Sequence, residues 1–361
     1  MALTSKKPKP LPIGVDLGSS TVKMVQMATT ESGLRLLAAG SANVPQGFRE
    51  SPSRRMDYMA RSIRSLLKTR AFKSTECVIS LPAEMTFILH MKVPKVGPEE
   101  LTSALEWGLQ GKLPYPVEDA IVRHLVAGDV YGDGEAKQEV IVIAASKKTV
   151  DDCLAMSRRS KLDVVGLSVE PCAIVDCFAR LFRQSEDTRT TLYVDIGQAS
   201  TQVVLAHGSR IAFARNLPVG GRQLDSKVAE GLGISLDEAW QLRRKLACGD
   251  DVDSRSDEVY RLLECPASEL TKELTQCMRY HESVFPNQAV EQLVFLGGQA
   301  NDKRFCQTVA RQLNLAAHIG DPLVQVAKEG AAALGTGLDR SEAQPDWAVA
   351  VGLSLGAADA A

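Results

Sequence analysis

The 361-residue sequence holds no run of about eighteen apolar residues, so no membrane-spanning helix is expected. Asp195 interrupts the best candidate run and Asp346 precedes the C-terminal one. The start, MALTSKKPKPLP, is basic but lacks an apolar stretch of signal-peptide length, so the chain is expected to be made and kept in the cytosol. No C-x-x-C pair occurs among the eight cysteines, at 77, 153, 172, 177, 248, 265, 277 and 306. Most sit in apolar periodic segments and are expected to be reduced core residues rather than metal ligands or disulfides. The histidines at 90, 124, 207, 281 and 318 show no metal-ligand spacing. An excess of either charge is also missing: 42 Lys and Arg against 44 Asp and Glu leave −2, which is no electrostatic footprint for nucleic acid. With 45% hydrophobic residues and ordinary Gly and Pro usage, what is present is a globular chain long enough for two or three domains.

Ile13–Leu17 and Thr21–Met27 are β-rich runs around a tight Gly18-Ser19-Ser20 turn and predict a hairpin. Between 56 and 70, Met59, Ile63 and Leu66 share one helical face. CVISLP then reads as a strand. Pro98-Glu99-Glu100 opens a helix in which Leu101, Leu105, Leu109 and Leu113 recur every four residues, with Pro and acids placed where the first-turn amides favour them. A hairpin over 120–144 and a helix over 148–159 complete a compact β-α-β-β-α unit at 85–163. After a short strand, a helix starts after Pro171, and Tyr193–Leu205 forms a second sharp β-turn-β. Leu217 to Gly221 leads into helical material, and the acidic segment 249–258 fails the spacing of a calcium loop. Strand Gln292–Leu296 runs into Gly297-Gly298 and a helix, and two Ala/Gly-rich helices close the chain.

The informative feature is a repeat. VDLGSSTVK (15–23) and VDIGQASTQ (194–202) align at a constant offset of 179, from 195 minus 16. An internal repeat on this scale predicts two similar halves facing each other. A tight Gly-containing turn exposes successive amides that can cradle phosphate, with Ser19, Ser20 and Thr201 adding hydroxyls. Asp16 can hold the hydration shell of Mg²⁺, and Lys23 can neutralise phosphate charge. FLGGQAND (295–302) is a strand, Gly-Gly, then helix, which lets a flat ligand approach bare backbone. Glu170, in Val169-Glu170-Pro171, lies between the two acidic turns and is a candidate for ordering a water or the metal shell. No G-x-G-x-x-G follows the first strand and no Walker pattern is present.

This order of motifs resembles the actin, chaperone and sugar-kinase ATPase superfamily. Within it, PEELTSALEWGLQGKLPYP, GLSVEP, NLPVGGRQLDSKVAEGLGISLDEAWQLR and WAVAVGLSLG resemble the PilM family of type IV pilus assembly proteins, relatives of the cell-division protein FtsA. The resemblance implies an α/β, two-lobed actin-like ATPase fold with an inserted FtsA-like β-α-β-β-α subdomain. It divides the chain into a polar leader (1–12), a first subdomain (13–84, 164–189 and 336–361), the insert (85–163), a third subdomain (190–219 and 287–335) and a fourth (220–286). It implies ATP and Mg²⁺ as cofactors. Asp16, Gly18, Ser19, Ser20 and Lys23 match the first phosphate motif; Asp195, Gly197 and Thr201 match the second; Gly297 and Gly298 match the adenosine motif. Asp16 and Asp195 would hold the metal through water, with Glu170 as the third acid. Gly220 and Gly221 join the nucleotide-binding set. Glu238 and Arg243 fall where the family places adenine or ribose contacts, and Arg243 replaces the more usual Lys. Gln299 stands where a third Gly or a small residue is usual. The implied role is a cytoplasmic scaffold at the inner face of the inner membrane. Its partners are the N-terminal peptide of a PilN-like inner-membrane protein, docked near 85–163, and other pilus assembly components. Membrane contact is then indirect, turnover is weak or absent, and self-association is left open. The other readings are an FtsA-like filament-forming, membrane-tethering ATPase and a small-molecule kinase of the same superfamily.

Overall fold

The computed structural model describes residues 8–31, 33–49, 51–132, 135–182, 189–249, 255–326, 338 and 341–356. Residues 1–7 of the leader, 250–254 of the acidic segment and the Ala/Gly-rich stretch 327–337 lie outside the described residues.

The first acidic turn joins β1 (Lys9–Leu17) to β2 (Thr21–Thr30), with Asp16 opposite Lys23. β3 (Gly33–Asn43) extends the meander, although small residues from Ala38 to Ala42 hide it from any alternation pattern. A short α1 (Gln46–Arg49) leads to α2 (Pro52–Thr69), which starts on a Pro and buries Met56, Met59, Ile63 and Leu66 along one stripe. β4 (Glu76–Ser80) then pairs parallel to β1.

Next come β5 (Thr86–Pro94), α3 (Pro98–Leu109), β6 (Ala120–Gly132), β7 (Glu135–Ser146) and α4 (Lys147–Ser160). The strands form a separate sheet in the order β5-β7-β6, and α3 covers one face by burying Leu101, Leu105 and Leu109 against Val93, Val140 and Val142. α3 ends at Leu109, ahead of Gly111, whose φ of +71° favours glycine; Leu113 is buried beyond the helix end rather than on it. β8 (Asp163–Ser168) rejoins the first sheet and α5 (Glu170–Phe182) follows.

The second half repeats the plan. β9 (Thr190–Ile196), β10 (Thr201–His207) and β11 (Arg210–Leu217) form an antiparallel meander; β12 (Val290–Leu296) and β13 (Ala317–Ile319) continue it in parallel. The sheet orders β3-β2-β1-β4-β8 and β11-β10-β9-β12-β13 are equivalent. Asp195 sits opposite Gln202 as Asp16 sits opposite Lys23, so the sequence offset of 179 is also a register. Between β11 and β12 lie α6 (Gly221–Leu232), α7 (Leu236–Ala247) and α8 (Ser256–Val284); α9 (Lys303–Leu313) precedes β13.

One core lies between the first sheet, α2 and α4, and another between the second sheet and α6 to α9. A third joins the halves: α5 and the closing helix α10 (Ala348–Gly356) pack with residues of both sheets. Residues Ala348 to Leu355 are all buried, which accounts for a short helix with no polar face. Its Ser354 hydroxyl donates to Pro12 C=O at 2.7 Å and accepts from Met27 N–H at 3.0 Å, groups beside the β1/β2 bulge. No helix among the described residues is long and apolar enough to cross a membrane.

Candidate functional site

The two acidic turns line one cleft. The first hairpin contributes Asp16, Gly18, Ser19, Ser20, Thr21 and Lys23; the second contributes Asp195 and Gly197 through Ser200. Gly297, Gly298 and Gln299 add a third side, Glu170 enters at the first turn of α5, and Asp346 arrives just ahead of α10. Each hairpin ends tightly for the same reason. A Cβ at Gly18 would lie 2.9 Å from Thr21 O, and one at Gly197 would lie 3.0 Å from Ser200 O. Gly297 has φ +82°, and a Cβ there would stand 2.3 Å from Asp195 Oδ1, so β12 closes onto the second acid only as glycine.

The electrostatics are dominated by desolvated acids. Burial pushes Asp16 up to about 6 against the opposing pull of Lys23, with Asp346 adding to the rise. Burial and the neighbouring Asp16 also raise Asp195. Burial holds Glu170 well above the usual carboxylate range, and Asp16 and Asp195 push in the same direction. Glu170 takes a hydrogen bond from the Gln202 side chain, the residue at Lys23's place in the second hairpin. Lys23 loses by burial, yet Asp346, Asp16 and Asp195 more than restore its charge and hold it above its ordinary range. Its Nζ donates to Asp346 C=O at 2.5 Å and lies 3.2 Å from that carboxylate.

Four acids, Asp16, Glu170, Asp195 and Asp346, around one lysine leave negative charge uncompensated in a cleft, and a cation entering with an anionic ligand relieves it. Among the described residues, no group of three or more His, Cys, Asp or Glu side chains is arranged to hold a metal directly. The site therefore fits a hydrated divalent ion better than a dry cage, since Mg²⁺ keeps several waters and takes few carboxylates.

Several expected residues sit elsewhere. The Thr201 side chain is buried and donates to Val219 C=O at 2.7 Å, so it braces β10 against the loop before α6 instead of facing the cleft. Gly220 and Gly221 hold that loop on the second turn: Gly221 N–H donates to Gly197 C=O and Arg222 N–H to Gln198 C=O, both at 2.9 Å. Glu238 caps α7 in a reciprocal box with Ser235, and its exposed carboxylate lines no part of the cleft. Arg243 is buried, paired with Asp225 at 2.7 Å, and lines an adjoining groove with Trp240, Asn43 and Gln299. Asp346, Gln198, Gln202 and Asp225 belong to the site and were not among the expected residues. Gln198 and Gln202 had a local signal, their offsets of 179 from Ser19 and Lys23.

Two sheets of one topology, each bringing an acidic hairpin to a shared cleft, define an actin-like ATPase fold. The structure is similar to that of the PilM-PilN type IV pilus biogenesis complex, with a TM-score of 0.78 and 24% identity over 96% of this chain and 98% of that one. It is also similar to the ethanolamine utilization protein EutJ from Carboxydothermus hydrogenoformans, with a TM-score of 0.57 and 14% identity over 98% and 91% of the two chains. Residues 14–358 match the family model of the type IV pilus assembly protein PilM, and the chain belongs to that family. Cell division protein FtsA of Bacillus subtilis is 19% identical over 278 residues, 69% of this chain and 61% of its own. FtsA of Staphylococcus epidermidis is 22% identical over 265 residues, 68% and 56% of the two. The chain thus spans about three fifths of the length of these curated relatives.

Proposed function

We propose that the protein is an ATP-binding, actin-like scaffold of type IV pilus assembly that captures the N-terminal peptide of a PilN-like inner-membrane protein. The observation that carries the nucleotide reading is the convergence of Asp16, Asp195 and Glu170 with two glycine turns on one cleft. The amides of the Gly18–Ser20 and Gly197–Ser200 turns and the Lys23 ammonium bind the phosphates. Asp16 and Asp195 hold the hydration shell of Mg²⁺, which would supply charge neutralisation at the phosphates. Glu170 orders a water by accepting a hydrogen bond from it.

The partner reading rests on family membership and on the solved complex whose name includes PilN. The surface we assign to the peptide is that of the β5-β7-β6 sheet and its helix α3, where Trp107 is 77% exposed. Docking of this kind would place the protein at the inner face of the inner membrane. The family match over residues 14–358 favours this reading over an FtsA-like filament.

ATP with Mg²⁺ should raise the melting temperature, and Asp16→Ala should abolish the rise; no rise at millimolar ATP overturns the nucleotide reading. A labelled synthetic PilN-like N-terminal peptide should be retained by the immobilised protein and released by excess unlabelled peptide. Retention no greater than on a blank surface overturns the partner reading.

A further inference from the structure

Four side chains close a ring at the junction between the acidic cleft and the groove lined by Trp240 and Arg243. Arg243 Nη1 donates to Asp225 Oδ1 at 2.7 Å, and its Nη2 donates to Gln299 Oε1 at 2.8 Å. Gln299 Nε2 donates to Gln198 Oε1 at 3.3 Å, and Gln198 Nε2 donates to Asp225 Oδ2 at 2.9 Å. Gln198 belongs to the second acidic turn and Gln299 to the Gly-Gly turn, so the ring ties together the two backbones that flank the passage. Both glutamines line the cleft and the groove. Their amide ends lie close against the first residue of α6: a Cβ on Gly221 would stand 2.4 Å from Gln299 Nε2 and 2.7 Å from Gln198 Oε1.

The ring is not the arrangement that satisfies every donor. Arg243 is 6% exposed, and its Nε–H is buried without an acceptor while its other two nitrogens serve the ring. A buried guanidinium with an open donor beside a groove is a place for a ligand oxygen.

We infer that Gln198 and Gln299 form a bolt across the passage between the phosphate turns and the nucleoside groove, so that nucleotide affinity is set by the cost of opening it. This rests on the reading of the cleft as a nucleotide site. A ligand with its phosphates at the acidic turns and its sugar and base in the groove has to displace the Gln299–Gln198 contact. Arg243 then keeps Asp225 and gains a ligand hydroxyl or ring acceptor at Nε. Removing the Gln299 side chain opens the passage without touching the groups that receive the phosphates.

The test is isothermal titration of the full chain with ATP and MgCl₂ for wild type, Gln299→Gly, Gln299→Ser and Gln198→Ala, each with a wild-type circular dichroism spectrum. Gln198→Ala sits in a turn outside any helix and keeps the test open if the Gln299 variants fold poorly. The expected result is at least fivefold tighter binding in the variants. Unchanged or weaker binding in folded variants, with wild type binding and Asp16→Ala not, overturns the bolt and leaves the nucleotide site standing. If neither wild type nor any variant binds at millimolar ATP, both fall. Binding by the variants alone supports both.

Discussion

Lys23 Nζ and the Asp346 main-chain carbonyl meet at 2.5 Å across 323 residues of sequence, and the Asp346 carboxylate lies 3.2 Å from the same nitrogen. The first hairpin is thereby fastened to the segment that launches the last helix. Gly297 N–H also donates to Pro345 C=O at 3.1 Å, so one short segment braces two sides of the cleft.

Replacing Lys23 removes the cation that opposes Asp16, Asp195 and Asp346. Breaking a buried pair from one side costs about 3–5 kcal/mol, and the partial exposure of Asp346, 26%, places the expected loss toward or below the lower end. Urea denaturation of Lys23→Met at pH 8 should show a loss of about 2–3 kcal/mol. The loss should shrink at pH 5, where Asp16, raised to about 6, is largely protonated. An equal loss at both pH values contradicts this account.

Asp16 makes the opposite contribution in the ligand-free protein. Its folded pKa is raised from 3.8 to about 6, so the folded state binds the extra proton. Stability from this group is therefore full below the unfolded value and declines as pH rises toward and through 6. Asp16→Asn removes that penalty and should stabilise the ligand-free protein at pH 8 by about 1–3 kcal/mol, with little gain at pH 4. The same variant should lose the ATP-dependent rise in melting temperature. A destabilised Asn variant at pH 8 would show that the charge is compensated in some other way.

Glu139 titrates with the reverse sign. It is fully buried, and Tyr280 Oη donates to its Oε1 at 2.6 Å while His90 Nδ1 lies 2.9 Å from the same oxygen. Burial raises its pKa, but the His90 and Tyr280 hydrogen bonds outweigh this and hold it below the usual range. Its stability contribution is present above the unfolded value and is lost as pH falls through the lowered one. Because His90 and Glu139 belong to the β5-β7-β6 sheet and Tyr280 to α8, the network pins the inserted sheet onto the second half of the molecule. Tyr280→Phe should cost about 1–2 kcal/mol and raise amide exchange in β5 and β7. Unchanged exchange there would mean that apolar packing alone holds the sheet.

The acidic hairpins were legible because turn chemistry is local: Gly and Ser between β-branched runs make the same hairpin wherever they occur, and a second copy in register fixes the pairing of the halves. β3 and Asp346 were not. Ala38 to Ala42 carry too little side chain to alternate, and they form a strand because β2 offers them a pairing edge. Asp346 acquires its role from Lys23, far away in sequence, which no spacing announces. Thr201 was legible as a residue and not as a direction: its hydroxyl has a main-chain carbonyl within reach, and an internal acceptor satisfies it without any ligand. Glu238 carries a helix-start pattern, Ser235-x-x-Glu238, whose plain capping meaning is the one the structure adopts.

The closing helix is where the halves are most sensitive to volume. A Cβ on Gly352 would lie 1.8 Å from Ala173 C=O, and one on Gly14 would lie 2.0 Å from Ala350 C=O. In each case the obstruction is backbone, so no rotamer change relieves it, and α10 has to move away from α5 or β1. Movement of α10 also withdraws Ser354 from Pro12 and Met27 and shifts Asp346 off Lys23. Gly352→Ala should therefore destabilise by about 3 kcal/mol or more, beyond the usual 1–3 kcal/mol of an overpacked side-chain core. The melting temperature and the ATP response should fall together. Gly47, where an added Cβ would meet nothing within 4 Å, is the control, and Gly47→Ala should leave both unchanged. A Gly352→Ala protein that melts as wild type but no longer responds to ATP would separate the helix's packing from its support of the cleft and contradict the coupling through Lys23.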